Sequence, residues 1–189
     1  VDSSDDEISF KTEQLIKNKK KLNINYIRYK ANEIAAKAKI CSQIKTKYTI
    51  QAGDDDYYSP QGLKQIISFL NNNTDYVSAS GYGYTVGYDL HKNRIGGISK
   101  YIIKSSSKET SVARIKEMQF QGPVAEYIVC KTEIFQKILQ NQWCNSNLNI
   151  VLIRQYWEYT FKLYIFLYGK SKVLDIFFLV RFIIPNNTS

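Results

Sequence analysis

Over its first eighty residues the chain alternates short apolar runs with stretches of helical periodicity, and this alternation limits the folds open to it. Val1 and Asp2 read as the end of a strand, and a helix follows from about Asp6. Residues 22–29 read as a second strand, and Asn32 can cap a helix that carries Ala35, Ala38 and Cys41 on one face. Residues 48–52 form a third short strand. Ser59 is a good N-cap, and Pro60 suits the first helical position, where its missing N–H costs nothing. Leu63, Ile66, Ile67 and Leu70 then recur on one helical face, and residues 76–80 are a fourth strand. Strand and helix in this order predict an α/β sheet with parallel crossovers, with Asp2, Tyr29 and Asp54 near one carboxyl edge.

The second half changes character. Gly81, Gly83 and Gly87 alternate with Tyr82, Tyr84 and Tyr88, which predicts extended structure, and Asp89, Asn93, Gly96 and Gly97 predict a hairpin. Residues 104–109 are polar and read as mobile. Thr110 or Ser111 caps a short helix through Met118, residues 127–130 read as a strand, and Thr132 caps a further helix. A last long helix is expected over about 151–168, stopping at Gly169. The apolar tail to Ile184 is expected to be a core helix followed by a core or edge segment. Lys162, Lys170, Lys172, Asp175 and Arg181 interrupt it before a membrane span can accumulate.

At 189 residues the chain is long enough for one domain with a buried core. Its net charge of +9, from 26 basic and 17 acidic residues, keeps phosphate-bearing partners, anionic lipid surfaces and nucleic acid open. The basic residues are scattered, without the stripe and interleaved aromatics of a nucleic-acid surface, so no nucleic-acid partner is expected. Cys41, Cys130 and Cys144 are odd in number and widely spaced, which suggests neither a disulfide framework nor a zinc site. His91 is the single histidine, so a histidine-based triad is not expected. No signal peptide opens the chain, and the expected location is cytoplasmic, with peripheral membrane contact.

Against this basic background stand three consecutive aspartates, Asp54, Asp55 and Asp56, between an apolar strand and the Ser59-Pro60 helix start. An Asp-rich turn that caps a helix is one reading. The other is a ligand loop at the carboxyl end of a strand, where open α/β sheets bind substrates and where a hard cation can meet a phosphate.

The stretch Tyr48-Thr-Ile-Gln-Ala-Gly-Asp-Asp-Asp-Tyr-Tyr-Ser-Pro60, its helix Gly62-Leu-Lys-Gln-Ile-Ile-Ser-Phe-Leu70 and Asn73-Thr-Asp-Tyr-Val-Ser-Ala-Ser-Gly81 resembles the donor-binding half of family 2 glycosyltransferases. Those proteins have the GT-A fold and an Asp-x-Asp loop. Val1-Asp-Ser-Ser-Asp5 is similar to their second strand, and Tyr127-Ile-Val-Cys-Lys-Thr-Glu-Ile-Phe135 to the strand and helix after the acceptor segment. The resemblance implies a GT-A-like, Rossmann-like, mainly parallel sheet flanked by helices, with a small antiparallel acceptor-side region. It implies a single domain, residues 1–81 forming the nucleotide-sugar half and residues 82–189 the acceptor side. Asp2, Asp54 and Asp55 would contact the nucleotide, and Asp56 with Asp54 would hold Mn²⁺ or Mg²⁺. Glu158 takes the place of the catalytic base, with Glu126 and Glu117 as competitors. Arg114 and Lys116 are diphosphate contacts or a solvated helix face; Tyr82, Tyr84 and Trp157 are sugar-stacking walls or core.

The implied activity is metal-dependent transfer of a sugar, with inversion, from a nucleotide-diphosphate sugar to a carbohydrate or lipid-linked hydroxyl acceptor. The family's opening strand has no counterpart ahead of Val1, so the expected donor site is half of a complete one. Two other readings remain beside it. One is an inactive or partial GT-A relative acting as a binding module, and the other is a basic nucleic-acid or membrane-surface protein with an incidental acidic turn.

Overall fold

The computed structural model describes the chain except residues 1, 3–4, 20–22, 30–32, 54–55, 90–93, 102–103, 119–126, 143–149 and 184–189, and except the side chains of 33–35, 89, 118, 141–142 and 150–158. Two helices, α1 (Asp6–Lys17) and α2 (Glu33–Cys41), precede the sheet. Then come β1 (Tyr48–Ile50), β2 (Asp56–Tyr58), α3 (Pro60–Asn72), β3 (Tyr76–Asp89) and β4 (Arg94–Tyr101). The chain continues through α4 (Ser111–Met118), β5 (Val129–Lys131), α5 (Thr132–Gln142), α6 (Ile150–Tyr168) and β6 (Lys170–Ile183). Among the described residues no helix is long and apolar enough to cross a membrane.

The expected mainly parallel, Rossmann-like GT-A sheet does not form. The strands run in the order β1-β5-β3-β6-β2, with β4 on β3, in a mixed and mostly antiparallel sheet curled into a half-barrel. Its one parallel pair is β3 with β6. Two things overturn the parallel expectation. β5 inserts antiparallel to both β1 and β3, so the two strands expected to pair across the Ser59-Pro60 helix are not neighbours in the sheet. The apolar tail, moreover, becomes a strand of 14 residues. Its Val173, Ile176, Phe177, Phe178, Val180 and Phe182 favour a pleated surface over a helix. The N-terminal strand expectation survives only as an isolated parallel bridge between Asp2 and Arg28, outside the sheet.

The starts of α3 and α4 follow expectation, whereas Thr132, expected to cap α5, is its first residue. Ser59 caps α3 by accepting from the Gly62 N–H at 3.1 Å, with Pro60 opening the helix. Asp5 caps α1 through the Ile8 N–H at 3.0 Å, and Thr110 caps α4 through Ala113 at 3.2 Å. The helix α6 stops at Tyr168, directly before Gly169. Ile66 and Leu70 of α3 pack with Ala79, Val129, Phe178 and Leu179 of the sheet in one cluster. Cys41, Ile138, Leu139, Phe161 and Ile165, from α2, α5 and α6, pack with Val77, Ile128 and Cys130 in the other. Each such side chain contributes roughly 1.5–3 kcal/mol when fully buried, so the two clusters clamp the sheet between them.

Close approach of backbones shapes the β3–β6 pair. A Cβ on Gly81 would lie 2.3 Å from the Ile176 carbonyl oxygen, and one on Gly83 would lie 2.7 Å from that of Leu179. The register shifts at Ser80/Tyr82 and Tyr82/Gly83, beside these glycines, are the bulges that bend the sheet. Residues 104–109, expected to be mobile, are instead tied to β6. Ser106 and Ser171 exchange backbone hydrogen bonds of 2.9 Å, and the Ser105 hydroxyl accepts from the Val173 N–H at 2.8 Å. At the start of β6, the Lys170 ammonium bonds Asp75 at 2.9 Å and Glu109 at 2.7 Å.

Gly81→Ala is expected to lower the unfolding free energy by about 1–3 kcal/mol, as overpacking does. Gly97→Ala, with nothing within 4 Å of its Cβ, should stay within about 0.5 kcal/mol; denaturant titration of both variants checks the contrast. The Lys170 cluster sets a pH window. Hydrogen bonding to Lys170 holds the Asp75 carboxyl below its ordinary 3.8, so that contribution is present above this value and is lost as pH falls through the native one. Glu109 and Asp75 raise the Lys170 ammonium above its ordinary 10.5, so its contribution is full below 10.5 and is lost as pH rises through the native value. Melting curves of Lys170→Met should therefore differ most from wild type between these limits and converge in acid.

Candidate functional site

Of the three aspartates Asp56 is described, as the first residue of β2. Asp56 is paired in register with Arg181 of β6, and Arg181 in turn with Thr85 of β3. The strand is anchored on both sides. The Tyr58 hydroxyl donates to the Gln51 carbonyl at 3.0 Å, the Tyr58 ring meets Phe178 edge-on at 5.2 Å, and the Ser59 N–H donates to the Phe178 carbonyl at 2.8 Å. Two aromatic rings complete this mouth of the half-barrel. The Arg181 guanidinium lies 4.4 Å from the Tyr127 ring centroid and 5.6 Å from that of Tyr101. Those rings meet edge-to-face at 6.0 Å and 90°. The Arg181 guanidinium and two tyrosines thus gather on the face of the sheet where Asp56 is its register partner.

In the sequence Arg181 stands only as an interruption of the apolar tail. Its signal is a lone cation, four residues beyond Phe177, in a run that would otherwise be wholly apolar. Asp54 and Asp55 lie outside the described residues. Asp56 is half-buried and supplies one hard oxygen donor group. No three His, Cys, Asp or Glu side chains cluster among the described residues. Mg²⁺ and Mn²⁺ are held by one or two carboxylates together with phosphate and water, and among the described residues Asp56 is the one expected metal ligand.

The other expected residues scatter. Asp2 sits in the N-terminal bridge and accepts a 2.6 Å hydrogen bond from the Tyr26 hydroxyl, which raises the Tyr26 pKa. Glu158 is on the first half of α6, with its side chain outside the described set, as Glu126 is entirely. Glu117 accepts from the Ser106 hydroxyl at 2.7 Å. Tyr82 and Tyr84 do form an aromatic group, with Phe177 at 6.3 and 6.2 Å. Tyr84 pairs with Val180, however, and the next position pairs with Arg181, so these rings project from the opposite face of the sheet.

Arg114 answers to neither of its readings. It is 6% exposed, and its guanidinium donates to the Phe166, Lys108 and Glu109 carbonyls at 2.7, 2.8 and 2.7 Å. It therefore closes the C-terminal end of α6, where a cation meets the negative pole of the helix. Lys162 is also buried, and desolvation pushes its ammonium pKa down. Burial pushes the Cys130 thiol up to about 12, which removes it as a nucleophile at neutral pH.

A concavity of about 640 Å³ lies at the other end of β1, lined by Lys45, Lys47, Lys131, Thr132 and Gln136 among others. Two of its lysines turn toward the end of α3. Lys47 bonds the Asn71 side-chain oxygen and Lys131 the Thr74 carbonyl, both at 2.7 Å. Its lysines are engaged with the chain itself, whereas Asp56 and Arg181 occupy paired positions of β2 and β6.

Arg114→Ala should cost about 2–4 kcal/mol, because it strands buried carbonyls at the α6 terminus, whereas exposed Lys116 should tolerate alanine within about 0.5 kcal/mol. Chemical denaturation separates the two. Comparison of the chain with models of protein families and with curated proteins finds no match.

Proposed function

We propose that the chain is a metal-dependent glycosyltransferase that moves a sugar, with inversion, from a nucleotide-diphosphate sugar to a hydroxyl on a carbohydrate or lipid-linked acceptor. One observation supports this above the others: the acidic loop ends at Asp56 in register with Arg181 at the mouth of the half-barrel. An aspartate and an arginine at paired positions of neighbouring strands suit a ligand that carries both a metal ion and phosphates. The resemblance of residues 48–81 to Asp-x-Asp donor segments rests on sequence, and the mixed sheet lends it no weight.

In this reading Asp56, with Asp54, holds Mn²⁺ or Mg²⁺, and Asp2 and Asp55 contact the nucleotide. The ion, when bound, offsets charge on the diphosphate leaving group. Glu158 accepts the proton of the acceptor hydroxyl, with Glu117 and Glu126 as the alternatives. The hydroxyl oxygen bonds to the anomeric carbon as the bond to the diphosphate oxygen breaks on the opposite face. A cytoplasmic reaction, at or near a membrane surface if the acceptor is lipid-linked, is part of the same proposal.

Calorimetric titration with nucleotide-diphosphate sugars tests it. Binding should require Mn²⁺ or Mg²⁺ and weaken about tenfold or more in Asp56→Ala. Binding that persists unchanged in the variant and in chelator sinks the metal role; no binding by wild type favours a module without donor chemistry.

A further inference from the structure

We propose that the concavity at the head of α5 binds a phosphomonoester, with the Thr132 hydroxyl and the ammonium groups of Lys45, Lys47 and Lys131 as its donors. The site lies apart from Asp56 and Arg181 and does not depend on the glycosyltransferase reading.

An orphaned hydroxyl carries the inference. Thr132 is 5% exposed and lines the concavity, and its hydroxyl oxygen is shut off from bulk water without a hydrogen-bond partner among the described residues. Buried hydroxyls are otherwise bonded, because an unmade bond leaves the cost of lost hydration standing. A ligand oxygen seated in the concavity supplies the missing partner. Thr132 is the first residue of α5 rather than its cap, and Lys131 before it has no acceptor in its side chain. The Thr132 N–H donates to the Lys47 carbonyl at 3.0 Å, which ties the start of β1 to the head of the helix. The N–H groups that follow in the first turn have no acceptor within the helix, and the helix dipole there favours an anion.

Charge selects the ligand. The charged residues of the lining are Lys45, Lys47, Lys131 and the exposed Glu133, so positive charge exceeds negative by two. The described hydrogen bonds of these lysines run to neutral oxygens: Lys45 to the Ser42 carbonyl, Lys47 to the Asn71 side chain and Lys131 to the Thr74 carbonyl. An ammonium has three donors, so one such bond positions each lysine and leaves donors for an anion. A phosphomonoester carries about −1.5 to −2 at pH 7 and brings acceptor oxygens for hydroxyl and ammonium alike. At about 640 Å³ the concavity has room for a small molecule beyond its phosphate.

Calorimetric titration of the full chain with glycerol 3-phosphate, at constant ionic strength, tests the site. Wild type should bind, and Thr132→Val should weaken binding about tenfold or more. The same substitution should leave the melting temperature of the free protein unchanged or higher, since valine removes a polar group that has no partner. Thr132→Ser, which keeps the hydroxyl, should bind as wild type does, and Lys131→Met should bind several-fold more weakly. No binding by wild type, or unchanged affinity in folded Thr132→Val, overturns the proposal. Equal loss in Thr132→Ser and Thr132→Val overturns the role of the hydroxyl, and equal affinity for glycerol overturns that of the phosphate. If Thr132→Val does not fold, Lys131→Met decides: weaker binding supports the site and unchanged binding overturns it. Phosphatidylcholine vesicles containing phosphatidate separate a lipid source from a soluble one. Co-sedimentation that Thr132→Val abolishes supports a lipid-borne phosphate, and binding of the soluble ester without the vesicles supports a free one. Vesicle binding equal in wild type and Thr132→Val, with no binding of the soluble ester, overturns the site.

Discussion

The parallel pairing of β3 with β6 is the constraint on which the rest depends. It joins two 14-residue strands along nearly their whole length, and every other strand attaches to one of them directly or through β5. Hydrogen bonding alone would give a flat ladder. The missing side chains at Gly81 and Gly83 let the β6 carbonyls approach, and the bulges beside them turn the ladder into a curve. A larger residue there would press on the β6 backbone and force the pair apart.

The same pairing fixes the polarity of the faces. A one-position step along β6 separates Val180, paired with Tyr84 on the outer face, from Arg181, paired with Thr85 on the inner one. The aromatic outer group and the charged mouth are thus neighbours in sequence and strangers in space. Arg181 owes its setting to three strands and a loop: β6 carries it, β2 brings Asp56 alongside, β4 ends in Tyr101, and Tyr127 precedes β5.

What was legible in the sequence was local. Ser59-Pro60, the Thr110 cap and the Gly169 stop each act within one turn of helix, so residue identity decides them. The sheet order was not legible, because β5 is three residues long and nothing in Val129–Lys131 says that it slots between β1 and β3. The nature of β6 was hidden for the opposite reason. With apolar neighbours at nearly every position, its run lacks the alternation that distinguishes a half-exposed strand from a core helix. Asp56 stood out as a charge where apolar residues were expected nearby. The roles of Arg181 and Arg114 depend on partners 50 or more residues away, such as Phe166 for Arg114 with a separation of 52, which no spacing rule reaches.

The hydroxyls of Ser78 and Ser171 meet in the core at 2.9 Å across a separation of 93 residues. During synthesis β3 therefore emerges long before its partner exists, and the glycine-rich strand must wait with an open edge while α4, α5 and α6 are made. Loop closure over such a span comes late and slowly, since its entropy is spent before the contacts that reward it. The half-barrel is in this sense a structure finished from its tail: helical segments can form as they appear, but neither the curve of the sheet nor the mouth at Arg181 can exist until the last strand has been delivered.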